Sequence, residues 1–395
     1  MTTPLLPVAE AYARLLALAA PAAIERVALQ DAAGRWAAED IIARRTQPET
    51  DLSAMDGYAI RHADLPGPWR VVGESAAGHP HDTKIETGQA VRIFTGAALP
   101  PGTDTVMVQE EARRDGDMLY LDGEGPGHRG RNVRPRGLDF SQGDRLIAAG
   151  ERLSPARLAL AAVGGHGDLP VRRPARVAIA ATGDELVPPG SELRPGQLPE
   201  SNGTMLAALI ADLPCDVIDL GILPDSSADL ERAFGGVDAD ILVTTGGASV
   251  GDHDLVRPAL EACGANIDFW RIALRPGKPM MAGTMRDTVV LGLPGNPVSA
   301  FVTATLFLRP LIAAIGGAND TTPRTTVATL GEDLPANGER TDYMRAARID
   351  GAVHAAAIQD SSMQRTLARA DCLIVRAPHD PPRAKGDSVE ILPLA

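Results

Sequence analysis

The run Val289 to Val298, VVLGLPGNPV, constrains this chain more than any other, because an apolar strand empties into Leu293-Pro294-Gly295-Asn296-Pro297 and then into a helix. Pro294 and Pro297 fix φ and remove two backbone donors, and Gly295 lets the chain approach a ligand closely. A helix starting at Val298 offers unpaired N–H groups with partial positive charge, so the turn reads as a cradle for phosphate or another oxyanion. One such turn also occurs for purely local reasons. Two further strand-to-loop transitions make it part of a pattern: Val177–Ala181 runs into Thr182-Gly183-Asp184-Glu185, and Asp240–Thr244 runs into Thr245 to Asp254.

These transitions lie in a segment, about 175–322, where short apolar strands alternate with helical stretches at 202–212, 226–234, 253–263 and 298–315. Such alternation predicts an α/β domain with a mainly parallel sheet covered on both faces, whose ligands gather beyond the carboxyl ends of the strands. Residues 1–174 read as a β-rich region with a helix at Val8 to Ala20, a second helix opened by Ser154-Pro155, and an inserted subdomain of short strands at about 45–145. Residues 323–395 return to short spaced strands, which predicts a small C-terminal β-barrel. The expected fold is therefore multidomain α/β, in keeping with 395 residues, since single cores seldom extend past roughly 250 to 300.

Composition narrows the partners. With 38 basic against 51 acidic residues and only 3% aromatics, the chain offers neither a phosphate-neutralising surface nor base-stacking platforms, so no nucleic acid is expected. Cys215, Cys263 and Cys372 lack CxxC spacing, which suits buried thiols in a reducing compartment and not a disulfide frame or zinc site. No uninterrupted apolar run reaches ~18 residues and Met1 to Ala20 has no basic start, so a cytoplasmic protein without a membrane span is expected. The absence of GxxxxGK[ST], of GxGxxG after a strand and of GxSxG leaves P-loop, dinucleotide and nucleophile-elbow chemistry unsupported.

The loops carry the candidate chemistry. Asp184 and Glu185 are adjacent and point different ways, with Glu185 the choice for the cleft; Ser201-Asn202 either donates to a ligand or caps the next helix. In the glycine-rich run 246–254, Ser249 can donate to an oxyanion and Asp252 or Asp254 can hold a hard cation. Asp225 adds a carboxylate, or caps the helix at Ser226; magnesium fits this oxygen-rich set better than zinc. Arg275 and Lys278 put two cations on a stiffened loop, the first suited to bidentate phosphate contact. The N-terminal region adds Ser53 to Tyr58 with its carboxylate Asp56, Thr95 to Gly102 after a strand, and Asn132 to Asp139, where arginines accompany an acid.

In that order, Ser53–Tyr58, Thr95–Gly102, Arg134–Asp139, Thr182–Leu186, Gly246–Asp254, Arg275–Pro279 and Pro294–Pro297 resemble the molybdopterin molybdenumtransferase family, whose bacterial members are called MoeA and whose animal relative contains the gephyrin E domain. The resemblance covers nearly the whole chain. It implies insertion of molybdenum from molybdate into the dithiolene of adenylylated molybdopterin, with release of AMP and a requirement for Mg2+. It implies catalytic roles for Glu185, Asp56, Asp139 and Asp225, and cation binding by Asp225 and Asp254. Substrate or anion binding would fall to Thr95, Arg134, Ser249, Arg275, Lys278, Pro294, Gly295, Asn296 and Pro297. It also implies a homodimer whose cleft joins the central domain of one subunit to the N-terminal region of the other, with molybdopterin adenylyltransferase as upstream partner. Arg275 stands where many bacterial members carry Lys, and Gln359 to Met363 departs from a Gly-rich family loop through Asp360, so no substrate role is assigned to that loop.

Overall fold

The computed structural model describes residues 5–246 and 255–394. At its centre is a six-stranded sheet in the order Cys215–Leu223, Ala175–Thr182, Ile241–Thr245, Thr288–Leu293, Pro279–Met285, Asn266–Arg271. The first four strands pair in parallel and the last two antiparallel. The antiparallel pair escaped the sequence reading, since the prolines and basic residues from Arg271 to Pro279 mask both strands.

Period-two alternation sorts this sheet between two cores. Val177, Ile179, Ile241, Val243, Leu291 and Leu293 face one side, where they meet Leu206 and Ile210 of helix Asn202–Ile210 and the long helix from Pro297. Ala178, Ala180, Leu242 and Val290 face the other, against Leu230, Phe234 and Leu260 of the helices Ser227–Gly235 and Val256–Ala262. Residues 297–315 form one continuous helix with a π-turn at Ala304–Leu308. By length and composition this helix is an exception to the expectation of no span-like segment: it has 19 residues and a mean hydropathy of 1.8. Yet 72% of that window is buried inside the protein, where it forms core.

Three antiparallel pairings nest one inside another and carry the chain out to the N-terminal β-rich part and back: Ile24–Ala28 with Asp168–Arg172, Ile41–Ile42 with Arg145–Ile147, and Leu52–Ser53 with Val133–Arg134. Beyond them, the strands Gly57–Ile60, Trp69–Ser75, Gln89–Ile93, Thr105–Val108, Ala112–Asp115 and Met118–Leu121 make a second six-stranded sheet, packed around Trp69, Ile60 and Met107. The Ser154 cap is as expected, its side chain accepting from Arg157 N–H at the head of helix Pro155–Val163.

At the C-terminal end, Ala352–Ala355, Thr341–Ile349, Cys372–Arg376, Ser388–Pro393 and Thr326–Thr329 pair in that order, and a parallel bridge from Leu330 to Val353 closes the ring. Leu330, Val353, Ile374 and Ile391 fill it, giving the expected small barrel. Of the three free cysteines only Cys372 is fully buried; Cys215 and Cys263 are partly covered, a correction to the expectation of buried thiols. Desolvation lifts the Cys215 thiol to about 11, so it stays protonated near neutrality.

Candidate functional site

In strand order the central sheet reverses direction of growth between Ala175–Thr182 and Ile241–Thr245, and ligands of open α/β sheets bind at such a switch point. A cleft of about 750 Å³ opens there, lined by Thr182, Glu185, Asn202, Gly246 and the turn Pro294-Gly295-Asn296-Pro297. All three strand-end loops picked out in the sequence thus reach one cavity.

Gly183 makes the first loop possible. Its φ is +148°, and an added Cβ would lie 2.5 Å from Glu185 Oε2, so the Glu185 carboxylate folds back over a residue that must be glycine. Gly246 is held as tightly, since a Cβ there would meet the Thr182 carbonyl at 2.6 Å. Asp184 turns away from Glu185: its Oδ1 accepts from Asp225 N–H at 3.0 Å, while Asp225 Oδ2 accepts from Asp184 N–H at 3.4 Å. Each carboxylate caps the other's backbone and keeps one oxygen without a partner among the described residues. Ser226, not Asp225, caps the helix that follows, accepting from Asp229 N–H.

The proline-rich turn has a different balance of donors from the one expected. Val298 N–H is taken by the Ser361 carbonyl at 3.1 Å, and Asn296 Nδ2 donates to Ser361 Oγ at 3.1 Å. The free donors are instead the Gly295 and Asn296 N–H groups, which have no partner among the described residues. Asn202 donates from Nδ2 to the Gly295 carbonyl at 2.8 Å and so ties the next helix to the turn.

Sequence reasoning set aside the loop Gln359 to Met363, but it docks on this turn and brings Ser362 and Gln364 to the rim of the cleft. Arg345, 1% exposed, holds the loop in shape, its Nη1 donating to the Asp360 carbonyl at 2.8 Å while Gln359 Nε2 donates to the Arg345 carbonyl at 2.9 Å. Asp360 is occupied by Ser362, whose hydroxyl and then N–H both donate to its Oδ1 and hold its pKa below the ordinary carboxylate value. Gln364 Nε2 donates to Ser201 Oγ at 2.6 Å. The signal for this long-range docking was absent from the sequence, because none of these polar residues belongs to a recognisable local motif.

Arg275 and Lys278 do not line the strand-end cleft. They face a separate cavity of about 330 Å³ with Asn337 and Arg340, and Arg275 Nε donates to the buried carboxylate of Asp342 at 2.9 Å. The strands Leu274–Arg275 and Thr341–Ile349 pair in parallel, which explains the encounter. Among the described residues lining the strand-end cleft, charge comes from Glu185 and Glu200 alone.

The N-terminal candidates divide in two. Asp56 and Thr95 meet at neighbouring strand ends: Asp56 Oδ1 accepts from Thr95 N–H at 2.7 Å and from Thr95 Oγ1 at 2.8 Å. The Thr95 N–H, then the Thr95 hydroxyl, and lastly the charge of Arg92 hold the Asp56 pKa below its ordinary value. Arg134 and Asp139 are exposed and have no side-chain partner among the described residues; the acid bound by the neighbouring Arg136 is Asp51, through its N–H at 2.8 Å. None of these four lines the strand-end cleft of its own chain. Ser249 and Asp254, with Asp252, lie outside the described residues.

Fold and cleft together define a doubly wound α/β protein with a cleft at its topological switch point, carried between a β-rich N-terminal part and a small barrel. Comparison with known proteins makes the assignment specific. Residues 6–165 match the model of the MoeA N-terminal region (domain I and II), 178–314 that of a "Probable molybdopterin binding domain", and 327–394 that of the MoeA C-terminal region (domain IV). A Haemophilus influenzae protein named molybdopterin molybdenumtransferase is 41% identical over 303 residues, covering 75% of this chain and 74% of its own length. A Staphylococcus aureus protein of the same name is 31% identical over 386 residues, covering 94% and 91%. The crystal structure of a molybdopterin biosynthesis MoeA protein from Pyrococcus horikosii superposes with a TM-score of 0.83 at 29% identity, covering 99% of this chain and all of that one. The chain belongs to the MoeA family of molybdopterin molybdenumtransferases.

Proposed function

We propose that this chain is a molybdopterin molybdenumtransferase of molybdenum cofactor biosynthesis, inserting molybdenum from molybdate into the dithiolene of adenylylated molybdopterin and releasing AMP. The reading is carried by the strand-end cleft: Gly295 and Asn296 N–H groups that have no partner among the described residues suit an oxyanion, yet the charged residues described around it, Glu185 and Glu200, are acids. An anionic substrate meets such acids favourably when a cation intervenes. Magnesium fits the neighbouring donors, since it binds through one or two carboxylates together with substrate phosphates, and the Asp184–Asp225 clasp leaves two hard oxygens without a partner among the described residues. Asp225 and Asp254 are the proposed protein ligands, although among the described residues no group of three or more His, Cys, Asp or Glu side chains is close enough to hold a metal ion. When bound, the cation would supply neutralisation of the phosphate charge.

The chain's own groups would do the rest. Glu185 sits on the strand-end turn at Gly183 with its carboxylate exposed and without a hydrogen-bond partner among the described residues, so it is available to hold or receive a proton at the reacting group. Gly295 and Asn296 would orient an oxyanion, the prolines on either side keeping the backbone rigid. We place Asp56, Thr95, Arg134 and Asp139 on the far wall, contributed by the second subunit of a cytoplasmic homodimer, and molybdopterin adenylyltransferase upstream. Arg275 and Lys278 remain candidates for anion binding in the adjoining cavity, and Ser249 for the cleft itself. The proposed domain limits are 1–174, 175–322 and 323–395.

The test supplies purified protein with adenylylated molybdopterin and Mg2+, with and without molybdate, and follows AMP and molybdenum cofactor together. Molybdate-dependent release of both supports the reading. AMP release that ignores molybdate and forms no cofactor would make the chain a phosphate-ester hydrolase, and binding without turnover would make it a scaffold.

A further inference from the structure

Arg92 lies outside every motif used so far, yet it contacts two aromatic rings, its guanidinium 5.2 Å from the Tyr58 centroid and 4.8 Å from that of Phe94. Both distances fall within the range of a cation–π contact. Its Nη1 donates to the Gly57 carbonyl at 3.1 Å and its Nη2 to Gln109 Oε1 at 2.6 Å. Gln109 in turn donates its backbone N–H to the Asp56 carbonyl at 3.1 Å. These contacts converge on the immediate neighbours of one pair: Gly57 and Tyr58 follow Asp56 in sequence, and Phe94 precedes Thr95. The register explains why, since Tyr58 lies opposite Arg92 and Gly57 opposite Ile93 in the antiparallel pairing. Gly57 admits no alternative, because a Cβ there would lie 2.0 Å from the Met107 carbonyl.

We propose that Arg92 is a positioning residue for the Asp56–Thr95 pair, clamping both strand ends so that Asp56, whose Oδ1 is committed to Thr95, presents its Oδ2 to a hydrogen-bond or cation-bearing group of the substrate. The inference rests on the reading that Asp56 and Thr95 belong to the reactive cleft. Arg92 itself touches no substrate; it acts by fixing the orientation of the carboxylate, and misplacement of such a group by about 1 Å costs on the order of 10²-fold in rate.

The test compares steady-state kinetics and thermal midpoints of the full-length protein with those of Arg92→Ala, Arg92→Lys, Asp56→Asn and the double variant Arg92→Ala/Asp56→Asn. Arg92→Ala is expected to lower kcat by roughly 10²-fold with KM changed less than about threefold. Arg92→Lys keeps a cation against the rings and restores about tenfold of that loss. The double variant is expected to be no slower than Asp56→Asn alone, because Arg92 acts through that carboxylate. Wild-type kcat in Arg92→Ala, or losses that multiply in the double variant, would overturn the inference while leaving the site intact. Normal turnover by Asp56→Asn would instead overturn the placement of Asp56 in the site, and the inference with it. Should Arg92→Ala fail to fold, Phe94→Leu removes one ring and leaves the guanidinium fork: an approximately tenfold fall in kcat is expected, and an unchanged kcat overturns the proposal.

Discussion

Glu185 and Asp56 are both carboxylates placed just beyond or before a strand, but the molecule prepares them by different means. Around Glu185 the backbone does the work: Gly183 at φ +148°, Gly246 against Thr182, and a turn between two prolines shape a cleft of about 750 Å³ within one chain. Around Asp56 the side chains do it, through Thr95, Arg92, Gln109 and two aromatic rings at the edge of a sheet that lines no part of that cleft. The described part of the backbone-built cleft already forms a concave pocket within one chain, whereas a shelf of ordered side chains needs an opposing surface before it can enclose anything. That contrast is what supports the proposal that the first binds the anionic substrate and the second forms a wall supplied across a dimer.

The sharpest way to break the comparison is to remove each acid in turn. Glu185→Ala is expected to reduce turnover by at least about 10³-fold while the thermal midpoint stays within about 2 °C, because its side chain is exposed and has no hydrogen-bond partner among the described residues. Retained turnover in that variant would remove Glu185 from the mechanism.

Gly57→Ala tests whether the shelf is as rigid as its register requires. The new Cβ meets the Met107 carbonyl at 2.0 Å, so a loss of about 3 kcal/mol is expected in denaturant unfolding, with the N-terminal sheet most affected. The central sheet has its own electrostatic anchor. Burial works against the Asp240 carboxylate, but hydrogen bonds from Arg173 and the Arg176 N–H, with the charges of both arginines, outweigh it and hold its pKa below the usual 3.8. A depressed carboxylate contributes stability that is full above the unfolded value and lost as pH falls through the folded one. Asp240→Asn should therefore cost about 2 kcal/mol at pH 7, and the gap from wild type should close below pH 3.8 in acid unfolding curves. A gap that persists at low pH would rule out the ion pair as its cause.

Gln364→Ala carries the smallest expected effect. It removes one 2.6 Å hydrogen bond to Ser201 at the rim of the cleft, so KM should rise about two- to fivefold with kcat unchanged. A larger fall in kcat would mean that the barrel loop reaches the chemistry itself.

How much of this was legible in the sequence follows the same division. Glycines and prolines act locally, so Pro294 to Pro297, Gly183 and strand ends at Ala181 and Thr244, one residue short of the observed Thr182 and Thr245, could be read directly, and the alternation of short strands with helical stretches pointed to the parallel core. Arg275 shows the limit: its charge and stiff loop suggested an anion ligand in the central cleft, but its nearest acid, Asp342, lies 67 residues away on a strand of the barrel. The loop from Gln359 to Met363 was set aside because of the anion at Asp360, which Ser362 in fact occupies, and Arg345 was missed because it holds that loop through carbonyl oxygens, which leave no pattern of residue types. Tyr58, Arg92 and Phe94 were within reach, as a cation lies opposite one ring and two residues from another, but only once the strands were paired.

We propose that the acid-lined cleft receives an anionic pterin through a divalent cation. Binding of adenylylated molybdopterin, followed by pterin fluorescence at saturating Mg2+ and after chelation with EDTA, tests it most directly. At least a tenfold weaker Kd is expected without the cation, with a dependence that shrinks in Asp225→Asn. Equal affinity in EDTA and in Mg2+, with Asp225→Asn indistinguishable from wild type, would contradict it.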